Sequence, residues 1–276
     1  MHIKQLVFKK YRVTLKPITP IHVWSGVKFR MWIDLIVKHE KVCLVDTENF
    51  PVEVVKALIS SKLEDIPHVM SKYIDTIPCK LEIPSISVPK MWSEVLELNK
   101  YVVPGSSLKG YIRTALLYTM LSSLGTTDAI RDTLRKGIDL GKEPKNMSQG
   151  LEAGFFRTPQ PVKQKGFVDA FQELIVSDPV VEAEQTCYSL RELLVYEIPL
   201  MKQIASQYAI TFDCGKLIYD IKLLEPPIRD LSALSPVDRE HHNVLNKLSL
   251  LLRVDLIDAL RAFGCNTIEK ELNKII

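Results

Sequence analysis

The chain has 276 residues, of which 46% are hydrophobic and 25% charged, with a formal net charge of +3. At roughly 150 residues per domain, this is one large domain or two ordinary ones, with enough apolar content to build a core without disulfides or metals. The balance is that of a soluble globular protein, and a charge so close to zero makes any nucleic-acid contact depend on cations gathered on one face rather than on overall excess.

Five cysteines, Cys43, Cys79, Cys187, Cys214 and Cys265, include no C-x-x-C pair. They read as reduced, mostly buried thiols of a cytoplasmic protein. Met1-His2-Ile3-Lys4 runs into Lys9-Lys10 without the apolar segment of a signal peptide. No run approaches the roughly eighteen apolar residues of a membrane helix.

Residues 5–17 predict a strand, because Tyr11, Val13 and Leu15 alternate with Arg12, Thr14 and Lys16 before Pro17. A loop follows, Ile18-Thr19-Pro20-Ile21-His22-Val23-Trp24-Ser25-Gly26. Residues 29–37 and 41–46 predict a β-hairpin turning at 38–40. Asp46 or Thr47 then caps a helix that carries Pro51 in its first turn and runs to about residue 63, with a second short helix at 65–74. Pro78, Pro84 and Pro89 predict an irregular segment over 76–100.

Tyr101–Val103 reads as a strand stopped by Pro104-Gly105, since proline fixes φ and Gly105 tolerates a positive one. Ser106 or Ser107 can cap the helix that follows, whose apolar stripe is Leu108, Ile112 and Leu116. That helix ends near Gly125, and another is predicted at 127–137. Residues 138–167 are glycine- and proline-rich and carry Arg157, Lys163 and Lys165 next to Phe155-Phe156. Basic residues interleaved with aromatics can follow a phosphate backbone and stack bases; a solvated lysine-rich loop gives the same pattern. Strands are predicted at 171–176, 184–196, 207–213 and 216–224. Amphipathic helices over 236–262 and a last helix at 266–276 close the chain. A boundary in the 140–167 loop divides the chain into residues 1–165 and 166–276, unless the β-rich second part packs onto the sheet of the first.

Two places carry chemistry. At the start of the 105–125 helix, free N–H groups, the Ser106 and Ser107 hydroxyls, Lys109 and Arg113 form an anion-friendly cluster; an ordinary well-capped turn would look the same. The lysine lies outside any Walker pattern, so a nucleoside triphosphate site is not indicated. His22 in its loop could serve as acid or base in RNA cleavage, or could simply pin the loop by a hydrogen bond. No H-E-x-x-H, EF-hand, zinc-ribbon or dinucleotide fingerprint appears, so no metal or cofactor is expected.

Three stretches together are similar to the RAMP proteins of CRISPR systems. Tyr11–Gly26 resembles their first strand and T-P-hydrophobic-H-x-x-S-G loop. Pro104–Thr114 resembles their P-G-S-S-hydrophobic-K-G-x-hydrophobic-R block. Val168–Asp178 resembles their F…V-S-D strand. Within the superfamily, the order of these stretches and the V-D-T-E-N-F turn look most like the fifth Csm subunit of type III-A complexes. The resemblance implies an α+β, RRM-like (ferredoxin-type) fold with antiparallel sheets flanked by helices, and here extra C-terminal helices. It implies a non-catalytic capping role on the 3′ side of the CRISPR guide RNA, beside the third Csm subunit and other Csm-type RAMP subunits, with help to host nucleases in guide maturation. Carried onto this chain, it makes His22, Ser25, Gly26, Gly105, Ser106, Ser107, Lys109 and Arg113 the RNA-facing set, to which the basic loop adds Arg157, Lys163 and Lys165. The alternative within the superfamily is a metal-independent endoribonuclease acting on repeat RNA through His22. Residues 18–33 contain no Asp or Glu, unlike the early loop of the third subunit with its slicing aspartate. The glycine-rich C-terminal motif of many relatives is also missing, since Gly264 is the only glycine in the last forty residues.

Overall fold

The computed structural model describes residues 8–123, 132, 135, 155–159, 167–182, 186–197, 202–224, 236, 239, 243, 246 and 256–275. The expected helix at 127–137, most of the 138–167 loop and most of the 236–262 helices lie outside these residues.

The expected first strand is β1 (Phe8–Leu15), with Tyr11, Val13 and Leu15 turned inward and Lys10, Arg12 and Thr14 exposed. Its partner is far away in sequence. It pairs antiparallel along its whole length with β13 (Leu217–Leu224), whose other side holds β9 (Leu174–Val176) and β10 (Val180–Val181). A second sheet runs β11 (Cys187–Glu197), β12 (Lys202–Cys214), β6 (Glu94–Leu98), β2 (Trp24–Arg30), with a parallel step between β12 and β6. Each of these sheets draws strands from both ends of the chain. A third sheet consists of β3 (Leu35–Lys38), β4 (Lys41–Val45) and β5 (Cys79–Pro84), and β7 (Arg157–Pro159) pairs with β8 (Phe167–Asp169).

The period-2 alternation of strands explains how the third sheet is shared between two cores. Leu35, Val42 and Ile83 face the main core, while Ile36, Cys43 and Val45 face a smaller one closed by α1 (Val52–Ile59) and α2 (Ile66–Lys72). The main core lies against the inner face of the first sheet, where Leu217, Tyr219, Ile221 and Leu223 are buried. It is covered by α3 (Gly105–Ser123) through Leu108, Ile112, Leu116 and Met120. A last helix, α4 (Leu256–Ile275), packs on α3, with the Phe263 ring 5.3 Å from Tyr111 and 5.8 Å from Tyr118. The result is the expected α+β arrangement of mainly antiparallel sheets with helices on their faces. Among the described residues, no helix is long and apolar enough to cross a membrane.

Four expectations are corrected. Residues 76–100 contain two strands, because Pro78 and Pro84 sit just before and at the end of β5 and Pro89 lies between β5 and β6, where missing N–H donors do little harm. Phe29 and Arg30 belong to β2 and pair with β6 rather than with the 41–46 strand, because the chain turns at Trp32 (φ 69°) before β3 begins. Tyr101–Val103 is a turn with Val102 at φ 63°, not a strand. Finally, Cys43 bonds Cys79 and Cys187 bonds Cys214, leaving only Cys265 free. Strand pairing brings the Cα atoms to 5.4 and 4.9 Å, within disulfide reach, across sequence separations of 36 and 27 that no C-x-x-C search would find.

Tyr219 ties the first sheet to the turn before α3, because its buried hydroxyl donates to the Val103 carbonyl at 2.7 Å. Burial pushes its phenol up to about 12, and the Asp178 carboxylate adds to the shift. Folding therefore favours the protonated phenol: its contribution is complete below the unfolded value near 10 and is lost as pH rises through the folded value. Thermal unfolding followed from pH 9 upward should show this loss in the native protein and not in Tyr219→Phe, which should cost about 1 kcal/mol at neutral pH.

Candidate nucleic-acid interface

The P-G-S-S and V-S-D stretches turn out to be two halves of one joint. Gly105 begins α3 pressed against the end of β9, and a Cβ there would overlap the Ser177 carbonyl oxygen and lie 2.7 Å from the Val176 oxygen. The Gly105 N–H donates to the Asp178 carboxylate at 2.9 Å, so a side chain of the protein already occupies part of the anion-favouring helix start. Ser177 locks the same point to β13. Its N–H donates to the Asp220 carbonyl and its hydroxyl accepts from the Asp220 N–H, both at 3.0 Å. Ser106 and Ser107 remain exposed on the first turn of α3.

Lys109 and Arg113 point into the protein. Lys109 donates to the Leu174 carbonyl of β9 at 2.6 Å. Burial lowers its pKa from the ordinary lysine value, Asp169 opposes the shift, and Arg113 adds to it. One turn on, the Arg113 guanidinium pairs with Asp169 at 2.8 Å and lies 5.1 Å from each of the Phe156 and Phe171 rings, which themselves meet edge to face at 4.8 Å. The second oxygen of Asp169 caps the 3₁₀ turn Ala170–Glu173 by accepting from the Phe171 N–H. These cations stitch α3 to the segment from β8 to β9. Their geometry is that of an internal brace, with cation–π contacts to two rings that a lysine at 113 would not reproduce.

His22 is also held by the protein. Its Nδ1 donates to the Ile210 carbonyl at 2.8 Å, while Ile21 and Phe212 exchange backbone bonds at 2.9 Å on either side. Its Nε2 is buried, with no hydrogen-bond partner among the described residues. Ser25 donates to the Glu97 carboxylate at 2.6 Å and accepts from the Val27 N–H. Gly26, at φ 99° and exposed, lies not in a loop but within β2, at the register shift between Trp24 and Lys28, with open space around its α-carbon. The two loops touch through Asn99, whose N–H donates to the Val23 carbonyl and whose carbonyl accepts from Val102. Arg157 lies in β7, and Lys163 and Lys165 lie outside the described residues. The structure thus brings the irregular start of β2 at Ser25–Gly26 and the Ser106–Ser107 turn onto one connected frame, with Glu97 and Asp178 beside them. Those carboxylates escape a scan of residues 18–33 because they arrive from other strands. Among the described residues, no group of three or more His, Cys, Asp or Glu side chains could hold a metal ion.

Sequence reasoning missed Asp169 as the partner of Arg113, and it began the second strand of the β11–β12 ribbon at residue 207 where β12 starts at Lys202. Past Leu193 and Gln207 that ribbon leaves its sheet, with Leu194, Val195, Tyr196 and Ile204 exposed.

No protein-family model matches the sequence, and no curated protein matches it either. Solved structures do. The crystal structure of Csm5 from T. onnurineus superposes with a TM-score of 0.62 at 19% identity, covering 94% of this chain and 80% of that one. A chain of the cryo-EM structure of the Csm–crRNA–target RNA ternary complex of a type III-A CRISPR-Cas system gives 0.57 at 21% identity, covering 90% and 72%. The fold is therefore the one seen in Csm5.

Two substitutions separate a brace from a ligand site. Arg113→Ala leaves Asp169 without its cation and should cost about 3 kcal/mol in denaturant unfolding. Gly105→Ala should cost at least about 2 kcal/mol, because the Ser177 backbone cannot yield to the new methyl as a side chain would. Stability equal to the parent protein in both variants would remove the brace.

Proposed function

We propose that the chain is a non-catalytic RNA-binding subunit that caps a type III-A, Csm-type interference complex and holds the 3′ side of the CRISPR guide. The observation that carries this reading is the fold likeness to Csm5, which extends over 94% of the chain. The ternary complex in which the second matching chain sits contains crRNA and target RNA together with Csm subunits. A subunit of this kind touches the guide without reading its sequence. The exposed hydroxyls of Ser106 and Ser107 and the exposed backbone at Gly26, beside Ser25, suit that task, because phosphate contacts position a strand irrespective of its bases. Lys109 and Arg113 serve the same surface at one remove by fixing α3. Arg157, Lys163 and Lys165 extend the RNA-facing set. The projecting β11–β12 ribbon, apolar on both faces, supports a neighbouring subunit such as the third Csm subunit as partner. Recruitment of host nucleases is the remaining part of the role.

The geometry at His22 favours this reading over repeat cleavage. A general acid or base must reach the proton it transfers, and here one ring nitrogen is bonded to a backbone carbonyl while the other is shielded from solvent.

Purification of the tagged full-length chain from its host should bring along Csm-type subunits and short guide RNAs. Recovery of the chain alone would overturn the proposal. Incubation of the purified protein with repeat RNA in EDTA should leave the RNA intact. Defined cleavage that disappears in His22→Ala would establish the endoribonuclease instead.

A further inference from the structure

With Lys109 and Arg113 turned inward, the question becomes which cations meet the RNA. The strand register of the first sheet supplies a pair. Lys10 on β1 lies directly opposite Lys222 on β13, and Ile175 of β9 takes the third place in the same row. All three are exposed, while the alternate positions Tyr11, Ile221 and Val176 turn toward the core. Directly opposed like charges on neighbouring strands repel, so the row works against the sheet that carries it. Its neighbouring row offers no relief: Asp220 is opposite Arg12 and is bonded to it at 3.3 Å. Among the described residues, the outer face of this sheet therefore combines two unneutralised ammonium groups with a flanking apolar strip in which Ile175 and Val180 are 50% and 68% exposed.

We propose that Lys10 and Lys222 clamp the phosphate backbone of single-stranded RNA across the β1–β13 seam, with the sugars lying over Ile175 and Val180. Opposed strand residues lie about 5 Å apart at their Cα atoms, and four-carbon stems let both ammonium groups converge on one phosphate. An anion between them turns the repulsive row into an attractive one. The contact is to phosphate and sugar rather than to base edges, so it tolerates any guide sequence. This inference rests on the RNA-binding reading and assigns its cations.

The test is fluorescence anisotropy of a labelled oligouridine strand with the full-length protein over a salt series. Lys10→Gln with Lys222→Gln is compared with a charge-matched control, Lys41→Gln with Lys80→Gln, on the third sheet. The clamp predicts at least about a tenfold loss of affinity at low salt and a fall of about 0.7 in the slope of log K against log salt, for the one phosphate that the pair neutralises. The control should keep most of both. The free double variant should also melt at or above the native Tm, because the repulsion is gone, whereas a purely structural pair would melt lower. Native affinity and slope in the double variant would overturn the clamp while leaving RNA binding intact. An equal loss in the control would overturn it as a mere effect of net charge. Unchanged RNA affinity with lost co-assembly would assign the face to a protein partner and overturn it too. If the native chain binds no RNA, alone or in its complex, both the reading and the clamp fall.

Discussion

The contact on which the rest depends is the meeting of Gly105 with the end of β9. One residue without a side chain lets α3 begin against the Ser177 backbone, and Asp178 takes the first helix N–H at that point. From there the constraint spreads in two directions. Ser177 fastens β9 to β13, which fixes the first sheet, and Tyr219 of that sheet reaches back to the Val103 carbonyl just before α3. Along the helix, Lys109 and Arg113 repeat the attachment one and two turns later. Helix, strand and turn are thereby held at three successive levels, and the apolar face of α3 has only one way to meet the inner face of the sheet.

This joint also explains how two halves of a chain without visible repeats make one body. β1 begins the described chain and finds its partner in β13, while β2 and β6 find theirs in β12. Long-range pairs of this kind are costly to close in entropy, and the gain comes late, when the core is assembled. A division into residues 1–165 and 166–276 follows the sequence. The sheets follow the pairing, and the second part contributes strands to both four-stranded sheets.

Local signals were legible and distant ones were not. The alternation of Tyr11, Val13 and Leu15 gave β1 and its inward face, and the stripe Leu108, Ile112, Leu116 gave α3 and its buried side. Proline spacing misled at 76–100, because prolines at strand ends look the same in sequence as prolines that break strands. The disulfides were invisible, since only the register of β4 with β5 and of β11 with β12 brings the cysteines together. The site followed the same rule. A lysine and an arginine at the start of a helix look like an anion site until their partners are known, and those partners, Leu174 and Asp169, lie 65 and 56 residues away. The V-S-D stretch was noticed for its resemblance, but its work as the cap of another element needed the third dimension.

The fate of those two cations shows how basic residues in a motif can serve the frame of a fold. A charge half-buried against a carboxylate and two aromatic rings is largely desolvated and held by an attraction that the lower local dielectric strengthens, so it is poorly placed to exchange its partner for a phosphate. An exposed lysine has no such commitment, and its attraction to a polyanion is gained through release of counterions. Fixing the frame and gripping the strand therefore call for opposite environments. In this fold the first falls to the inner face of α3 and the second to the solvent face of the sheet it braces. A net charge of only +3 suffices for such an arrangement, because the register of two strands, rather than overall excess, is what sets cations side by side.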